Sequence, residues 1–180
     1  MKSYDELKAL IEQRGVHAEF GAAGEGWGIE QNPHELATFL VRMQELGIAS
    51  VLEIGTGYKG GLSRFLAQDM RWDVTTFDVE DYGHNFPGVD YIIPTYDTMT
   101  EQWINDVDLL FIDGDHSYKS VKYDYQEYGL YAKKVIAFHD IGGLRDCDGS
   151  MWFWVDMEHG KKFDVIEHSP QRAGIGWIEL

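Results

Sequence analysis

Cysteine is almost absent from this 180-residue sequence, and Cys147 is the only one. A single thiol cannot form an internal disulfide, so the fold must depend on its hydrophobic core, and a reducing compartment is expected. Cys147 lies between Asp146 and Asp148 in a polar stretch that predicts a loop. The sequence by itself gives this cysteine no function, and an incidental thiol is the expectation.

Positive charge is also scarce, since 15 Lys and Arg stand against 31 Asp and Glu, for a net charge of −16. Phosphate groups are bound mainly by Lys and Arg, so nucleic acid and anionic membranes are not expected as main partners. The sequence has no apolar run of about 18 residues, as a membrane-spanning helix requires. Its first residues lack the apolar core of a signal peptide. These absences predict a soluble, cytoplasmic protein.

Apolar residues, in contrast, are plentiful, at 44% of the sequence with 14% aromatic, which indicates one globular domain. Their spacing predicts strands at 51–54, 73–78, 89–93, 108–113, 135–138, 163–167 and 174–180. It predicts helices at 3–14, 33–46, 61–69, 99–105, 118–130 and 151–157. Strands that alternate with helices indicate an α/β fold: a Rossmann-like parallel sheet with helices on both faces. The last two strands are separated only by a short turn, which predicts a late antiparallel hairpin.

The first 35 residues form a separate predicted segment before the main domain at 36–180. Ser3 and Glu6 are spaced as a capping box at the start of the first helix. Residues 15–31 then contain five glycines and Trp27. This composition fits an active-site lid or a plain linker, and the sequence leaves both open.

The stretch 51–61 organises the rest of the chain, because it reads as strand, glycine-rich turn and helix. Gly55 and Gly57 carry no Cβ and so allow a tight turn with close approach of a ligand. The spacing Gly55-x-Gly57-x-x-Gly60 also fits the dinucleotide fingerprint. Glu53, two residues before the first glycine, favours a cationic ligand such as the ammonium group of S-adenosylmethionine (SAM) over an anionic pyrophosphate.

This Glu-x-Gly-x-Gly stretch resembles motif I of the class I SAM-dependent methyltransferases, which implies SAM as the cofactor. Asp78 ends the second strand, where a carboxylate can accept both ribose hydroxyls of either SAM or NAD. Asp97 lies where these methyltransferases often contact the adenine. The predicted cofactor contacts are Glu53, Gly55, Thr56, Gly57, Asp78, Asp97 and Asp113.

Two acidic and histidine-containing clusters follow the fourth and fifth strands. Asp113, Asp115 and His116 follow one strand, and His139 with Asp140 follows the next. Parallel strands present their carboxyl ends at one edge of the sheet, so these side chains are expected to converge. Such a group suits a divalent cation or acid–base chemistry.

The residues around these clusters resemble a group of small-molecule O-methyltransferases over about residues 29–180. The resemblance is to the macrolide-sugar methyltransferases and the cephalosporin hydroxylase-like proteins, and more distantly to the catechol and caffeoyl-CoA O-methyltransferases. It implies that Asp113, His139 and Asp140 hold a divalent cation and that His116 stands where relatives have a lysine base. Imidazole at position 139 favours softer ions than Mg²⁺. The sequence therefore leaves two alternatives for these residues: they bind a metal ion, or they bind and position the substrate, here called a substrate clamp.

The sequence therefore predicts SAM-dependent methyl transfer to a small-molecule acceptor, most readily at a hydroxyl oxygen. One alternative is a nicotinamide-dependent oxidoreductase, which shares the glycine turn and Asp78 but gives Glu53 no role. Another is a SAM-binding protein without catalysis, because little chain remains beyond the core to hold a substrate. The acceptor and the oligomeric state, including a homodimer, are left open.

Overall fold

The computed structural model describes residues 1–16, 26–93, 105–143, 147–167 and 173–180. Predictions that fall on other residues lie outside this part of the chain. They are the adenine contact at Asp97, the helix at 99–105 apart from its last residue, and the centre of the glycine-rich segment 15–31.

Helices and strands alternate along the described chain. The α-helices are α1 Tyr4–Arg14, α2 Pro33–Glu45, α3 Gly61–Phe65, α4 Tyr118–Tyr128 and α5 Asp148–Asp156, with a π-helical turn Leu66–Met70 after α3 and a 3₁₀ turn Gly129–Tyr131 after α4. The strands are β1 Ser50–Ile54, β2 Asp73–Phe77, β3 Val89–Ile92, β4 Val107–Ile112, β5 Ala132–His139, β6 Lys162–Val165 and β7 Ile175–Glu179. Among the described helices, none is both long enough and apolar enough to cross a membrane.

The seven strands form one sheet in the order β3-β2-β1-β4-β5-β7-β6. Strands β1 to β5 are parallel, whereas β7 runs antiparallel to both β5 and β6. The predicted fold is therefore confirmed: a Rossmann-like α/β domain that closes with an antiparallel hairpin.

Each central strand sends alternate side chains into two cores, one on each face of the sheet, as the two-residue repeat of a strand requires. On β4, Phe111 packs in the core that contains α1 and α2, whereas Ile112 packs in the core that contains α4 and α5. On β5, Ala137 and Phe138 divide between the same two cores. Burial of both faces explains why these strands read as continuous apolar runs.

Side-chain caps fix the starts of α1 and α2, and the cap of α1 is the capping box that the sequence predicts. The carboxylate of Glu6 accepts a hydrogen bond from the backbone N–H of Ser3 at 2.7 Å, and the N–H of Glu6 donates to Ser3 Oγ at 3.3 Å. At α2, Asn32 Oδ1 accepts from the N–H of His34 at 2.8 Å, ahead of Pro33 in the first helical position. These caps fix where α1 and α2 begin.

The three central strands end level with one another. In the register of the sheet, Ile54 at the end of β1 lies beside Ile112 of β4, and Ile112 lies beside Phe138 of β5. The segments that follow these strands therefore start at one edge of the sheet, and they are the segments that carry the predicted site residues.

The glycine turn passes directly against the end of β4. Gly55 has φ +91°, and a Cβ there would overlap the backbone carbonyl oxygen of Asp113. The N–H of Gly55 donates to the carbonyl of Phe77 at 2.8 Å, and the N–H of Asp113 donates to the carbonyl of Ile54 at 2.8 Å. Only glycine meets both requirements at position 55, the backbone angle and the lack of space.

Alanine at position 55 tests this packing, with alanine at position 47 as the matched control. Gly47 also has positive φ, at +65°, but nothing lies within 4 Å of its Cβ position. Gly47→Ala should lose about 1–2 kcal/mol in free energy of unfolding from backbone strain. Gly55→Ala should lose about 3 kcal/mol or more, because the backbone of β4 must also move. Urea denaturation measures both, and equal losses would contradict the proposed close packing.

Candidate active site

The glycine turn after β1 is held in place by Asp78, which directly follows β2. The backbone N–H groups of Thr56 and Gly57 donate to Asp78 Oδ2 at 3.0 and 2.9 Å. The other carboxylate oxygen accepts from the N–H of Glu80 at 3.0 Å. Asp78 remains half-buried. One carboxylate therefore shapes the turn and stays at the edge of the sheet where a ligand would lie.

Glu53 lies beneath the turn rather than on its surface. Its side chain is 1% exposed, and one carboxylate oxygen accepts from Thr76 Oγ1 at 2.9 Å and also from Ser63 Oγ. Burial raises the pKa of Glu53 to about 8, against the opposing effect of these two hydroxyl donors. The structure brings Glu53 into contact with hydroxyl groups from β2 and α3, and its predicted contact with a cationic cofactor stays a prediction.

The residues at the end of β5 and just after β4 and β5 converge at the same edge of the sheet. His139 Nδ1 lies 3.0 Å from Asp113 Oδ1 and 3.4 Å from Asp140 Oδ2. His116 Nε2 lies 2.9 Å from Asp140 Oδ2 and 3.8 Å from Asp113 Oδ1. The strand order thus unites all four predicted residues into one group, here called the rim cluster.

Charge is closely balanced within the rim cluster. The carboxylates of Asp113 and Asp140 raise the pKa of His116 to about 10. Burial disfavours the charged form of His139, but the same two carboxylates outweigh it and hold the pKa of His139 well above its ordinary value. Burial opposes ionisation of Asp140 too, yet the charge of His139 and the hydrogen bond from His116 hold its pKa low. These contacts favour the charged forms of both imidazoles and of the Asp140 carboxylate.

Gln31 belongs to the site although the sequence analysis did not select it. Its Nε2 donates to Asp113 Oδ2 at 2.7 Å, and the residue is 2% exposed. Its Oε1 is buried and has no hydrogen-bond partner among the described residues. Gln31 directly precedes the α2 cap, within the stretch 29–33 that begins the resemblance to the O-methyltransferases. That resemblance is the feature of the sequence that could have indicated a role for Gln31.

Glu35 is a second buried acid that the sequence analysis missed. It is fully buried in α2, and its carboxylate accepts from the N–H of Glu167 at 2.7 Å and from the N–H of Gly174 at 2.9 Å. Burial raises its pKa, while these two N–H groups and the charge of His139 act in the opposite direction. Glu35 thereby joins α2 to the segment that follows β6 and to the residue just before β7, close to His139 of the rim cluster.

The rim cluster has a donor set that fits a divalent cation. Asp113, His139 and Asp140 each offer one ligand atom, and these atoms all lie within 4.8 Å of one another. A mixed set of carboxylate and imidazole donors suits Mn²⁺, Fe²⁺ or Zn²⁺ better than Mg²⁺, which prefers oxygen ligands alone.

Two further groups of residues have packing partners in the structure. His84 places Nε2 3.0 Å from the carbonyl oxygen of Gly57 and stacks on Phe86 with ring centroids 5.0 Å apart. Phe153 and Trp154 of α5 are buried against Phe138 and so form part of the core.

The family of the chain follows from a comparison with known proteins. A family model described as a methyltransferase domain matches residues 52–141, half of the chain, and this range contains the glycine turn and all four residues of the rim cluster. The chain therefore belongs to this methyltransferase family, and its recognition as a SAM-dependent methyltransferase is confirmed. No curated protein matches the sequence.

Solved structures show the same fold at low sequence identity. An O-methyltransferase from Bacillus cereus in complex with S-adenosylhomocysteine (SAH) has a TM-score of 0.57 and 15% identity, over 98% of this chain and 90% of that one. MycE, from the mycinamycin biosynthetic pathway, in complex with Mg, SAH and mycinamycin VI, has a TM-score of 0.61 and 16% identity, over 99% of this chain and 54% of that one. An rRNA methylase from Streptococcus thermophilus has a TM-score of 0.55 and 10% identity, over 81% and 95%. At these identities, the likeness establishes the fold and leaves the acceptor undetermined.

The burial of Glu53 predicts a pH dependence of stability. Its pKa is about 8 in the folded chain, against an ordinary value of 4.5. At a pH between these two pKa values, unfolding therefore releases a proton from Glu53. The contribution of Glu53 to the free energy of unfolding is complete below about pH 4.5 and is lost as pH rises through about 8. Between about pH 5 and 8, the free energy of unfolding of the unmodified protein (the parent) should fall by up to about 4 kcal/mol more than that of Glu53→Gln, because glutamine cannot ionise.

Urea denaturation of both proteins at several pH values measures this difference. Glu80→Gln is the control, because Glu80 is an exposed acid on the same side of the sheet and should leave the pH profile as it is in the parent. Parallel curves for the parent and Glu53→Gln would show that Glu53 does not titrate differently in the folded chain.

Proposed function

We propose that this methyltransferase moves the methyl group of SAM to a hydroxyl oxygen of a small-molecule acceptor. The observation that carries the proposal is the imidazole of His116, 2.9 Å from Asp140, at the sheet edge that also carries the glycine turn. An imidazole there is suited to accept the proton of an acceptor hydroxyl.

The cofactor is assigned to the glycine turn and the end of β2. Backbone of Gly55, Thr56 and Gly57 would lie against SAM, and the Asp78 carboxylate would accept its ribose hydroxyls. Asp113 would border the same site, because its carbonyl lies against Gly55. When bound, SAM supplies an electrophilic methyl group on its sulfonium sulfur, so the protein has only to align the acceptor oxygen and remove its proton.

Glu53 has a more indirect role in this proposal. Its carboxylate lies beneath the turn and holds Ser63 and Thr76, and Thr76 Oγ1 lies 2.7 Å from Thr56 Oγ1. A charged contact with the ammonium group of SAM would require that Glu53 first lose its proton. This arrangement supports Glu53 as a residue that shapes the turn, with its negative charge available once a cation is near.

The rim cluster supports His116 as a general base only in one charge state. An imidazolium cannot accept a proton, and His116 is charged at neutral pH as long as both carboxylates face it alone. A divalent cation held by Asp113, His139 and Asp140 would supply positive charge to those carboxylates and let His116 become neutral. Without a metal, the same residues would orient the acceptor as a substrate clamp.

A small acceptor is supported by charge. The net charge of −16 disfavours a polyanionic acceptor such as nucleic acid. MycE, in complex with Mg, SAH and mycinamycin VI, is consistent with this acceptor class. Residues 1–35 are proposed as the lid over the site, since Gln31 reaches Asp113 from this segment. A cytoplasmic location remains part of the proposal.

The cofactor assignment is tested by the affinity for SAH. Asp78→Ala should weaken binding about tenfold or more, because one charged hydrogen-bonding group contributes about 1.5–3 kcal/mol. Asp81→Ala is the matched control, since Asp81 is exposed three residues away and its carboxylate accepts from the N–H of Gly83. Isothermal titration calorimetry with SAH and with NAD measures both. Unchanged SAH affinity in Asp78→Ala, or heat with NAD alone, would contradict the assignment.

The general-base role is tested by turnover with methyl-labelled SAM and a panel of phenols and sugars. His116→Ala should lose about 10²–10⁴-fold in turnover while it still binds SAH. Because the base must be neutral, the rate of the parent should rise with pH towards the raised pKa of about 10 when EDTA is present. A divalent cation should move this rise to lower pH.

His159→Ala serves as the control for this experiment, because His159 is exposed and lies after α5. Its rate and pH profile should match the parent. Parent-like turnover in His116→Ala would rule out the base, and a pH profile unaffected by both EDTA and added cation would favour the substrate clamp. SAH binding without transfer to any acceptor would favour the non-catalytic alternative.

A further inference from the structure

Cys147, which the sequence left without a function, lies beside the rim cluster. Its thiol, an imidazole nitrogen of His116 and a carboxylate oxygen of Asp140 all lie within 4.8 Å of one another. The three residues come from three separate segments, which follow β4, follow β5 and precede α5. Methyl transfer as proposed above requires no thiol, so Cys147 adds a kind of ligand that the proposed function does not use.

A close backbone contact brings Cys147 to His116. Cys147 is the residue before α5, and its carbonyl accepts from the N–H of Ser150 at 3.2 Å. Two residues further on, a Cβ at Gly149 would overlap the carbonyl oxygen of His116 and the N–H of Tyr118. The first turn of α5 therefore packs directly on the backbone that carries His116, which fixes the thiol near the imidazole.

Asp140, the third residue of the group, is positioned by the backbone just after β5. Asp140 has φ +57°, an uncommon conformation for a residue with a side chain. Its side chain is 9% exposed, and its Oδ2 contacts both His116 and His139. Asp140 thus belongs to two groups of possible ligands, one with Cys147 and His116 and the other with Asp113 and His139.

We propose that His116, Asp140 and Cys147 form a binding site for Zn²⁺. Thiolate, imidazole and carboxylate are the three ligand types that Zn²⁺ takes in proteins, and a thiolate strongly favours it over Mg²⁺. Three protein ligands leave a fourth tetrahedral position for water or another group. The position of Cys147 at the N-terminal end of α5 also favours the anionic form of a ligand.

The zinc site shares Asp140 with the oxygen-and-nitrogen set of Asp113, His139 and Asp140. A Zn²⁺ ion at the thiol also engages His116, so its imidazole cannot serve as a base at the same time. If the proposed function holds, Zn²⁺ inhibits methyl transfer through this site. The binding site itself does not depend on that function.

The test uses Co²⁺ as a spectroscopic substitute for Zn²⁺. Because Cys147 is the only cysteine, a near-ultraviolet sulfur-to-cobalt charge-transfer band can come only from this residue. The parent protein, kept reduced, should develop the band on Co²⁺ addition and lose it when Zn²⁺ displaces Co²⁺. Cys147→Ser, which keeps the size of the side chain, should show no band and should bind Zn²⁺ more than about tenfold more weakly by competition with a chelating indicator.

Two more variants separate a built site from a reactive thiol. His116→Ala should also weaken Zn²⁺ binding more than about tenfold, because it removes a ligand. Asp148→Asn, which removes an exposed acid next to Cys147, should leave Zn²⁺ affinity as in the parent. Circular dichroism confirms that each variant is folded. Absence of the band, or parent-like Zn²⁺ affinity in Cys147→Ser or in His116→Ala, would overturn the proposal, whether or not the protein transfers methyl groups.

Discussion

The site depends first on the register of the three central strands. Ile54, Ile112 and Phe138 lie level in the sheet, at or next to the last residue of each strand, so the backbone that follows each strand starts at the same edge. A shift of one residue in β4 or β5 would turn the apolar side chains to the opposite face and break both cores. The packing that stabilises the fold therefore also fixes the positions of the polar residues just beyond it.

Close backbone contacts at glycine residues bring the segments after these strands together. Gly55 lies against the backbone of Asp113, and Gly149 lies against the backbone of His116. In each contact, backbone atoms of a neighbouring segment occupy the space where a side chain of the glycine would lie. Neither segment can therefore shift without moving the backbone of the other. The result is a rigid edge in which the glycine turn, the rim cluster and the start of α5 hold one another in place.

Charge at this edge is balanced locally even though the whole chain carries −16. Asp113 and Asp140 face His116 and His139. The two carboxylates stabilise the charged forms of both imidazoles, and the two histidines stabilise the charged form of Asp140. An incoming cation therefore competes with the two imidazolium ions for the same carboxylates. A metal ion bound to these carboxylates would therefore change the protonation of His116.

The sequence by itself determined the alternation of strands and helices, both helix caps, the glycine turn and the acids and histidines directly after each strand. These are local patterns, because a cap, a turn or an amphipathic repeat involves residues only a few positions apart. Strand order could be inferred from connection rules, and with it the convergence of Asp113 with His139 and Asp140.

Only the tertiary structure decided which side chains face the site. Gln31 reaches Asp113 across 82 positions and Glu35 reaches Gly174 across 139, and neither contact leaves a local pattern in the sequence. Glu53 turns beneath the glycine loop because Ser63 and Thr76 supply hydroxyl groups there. Cys147 joins the rim because α5 packs on the backbone at Gly149. In each case, the packing of distant segments sets the position and direction of a side chain, and that packing exists only once the chain has folded.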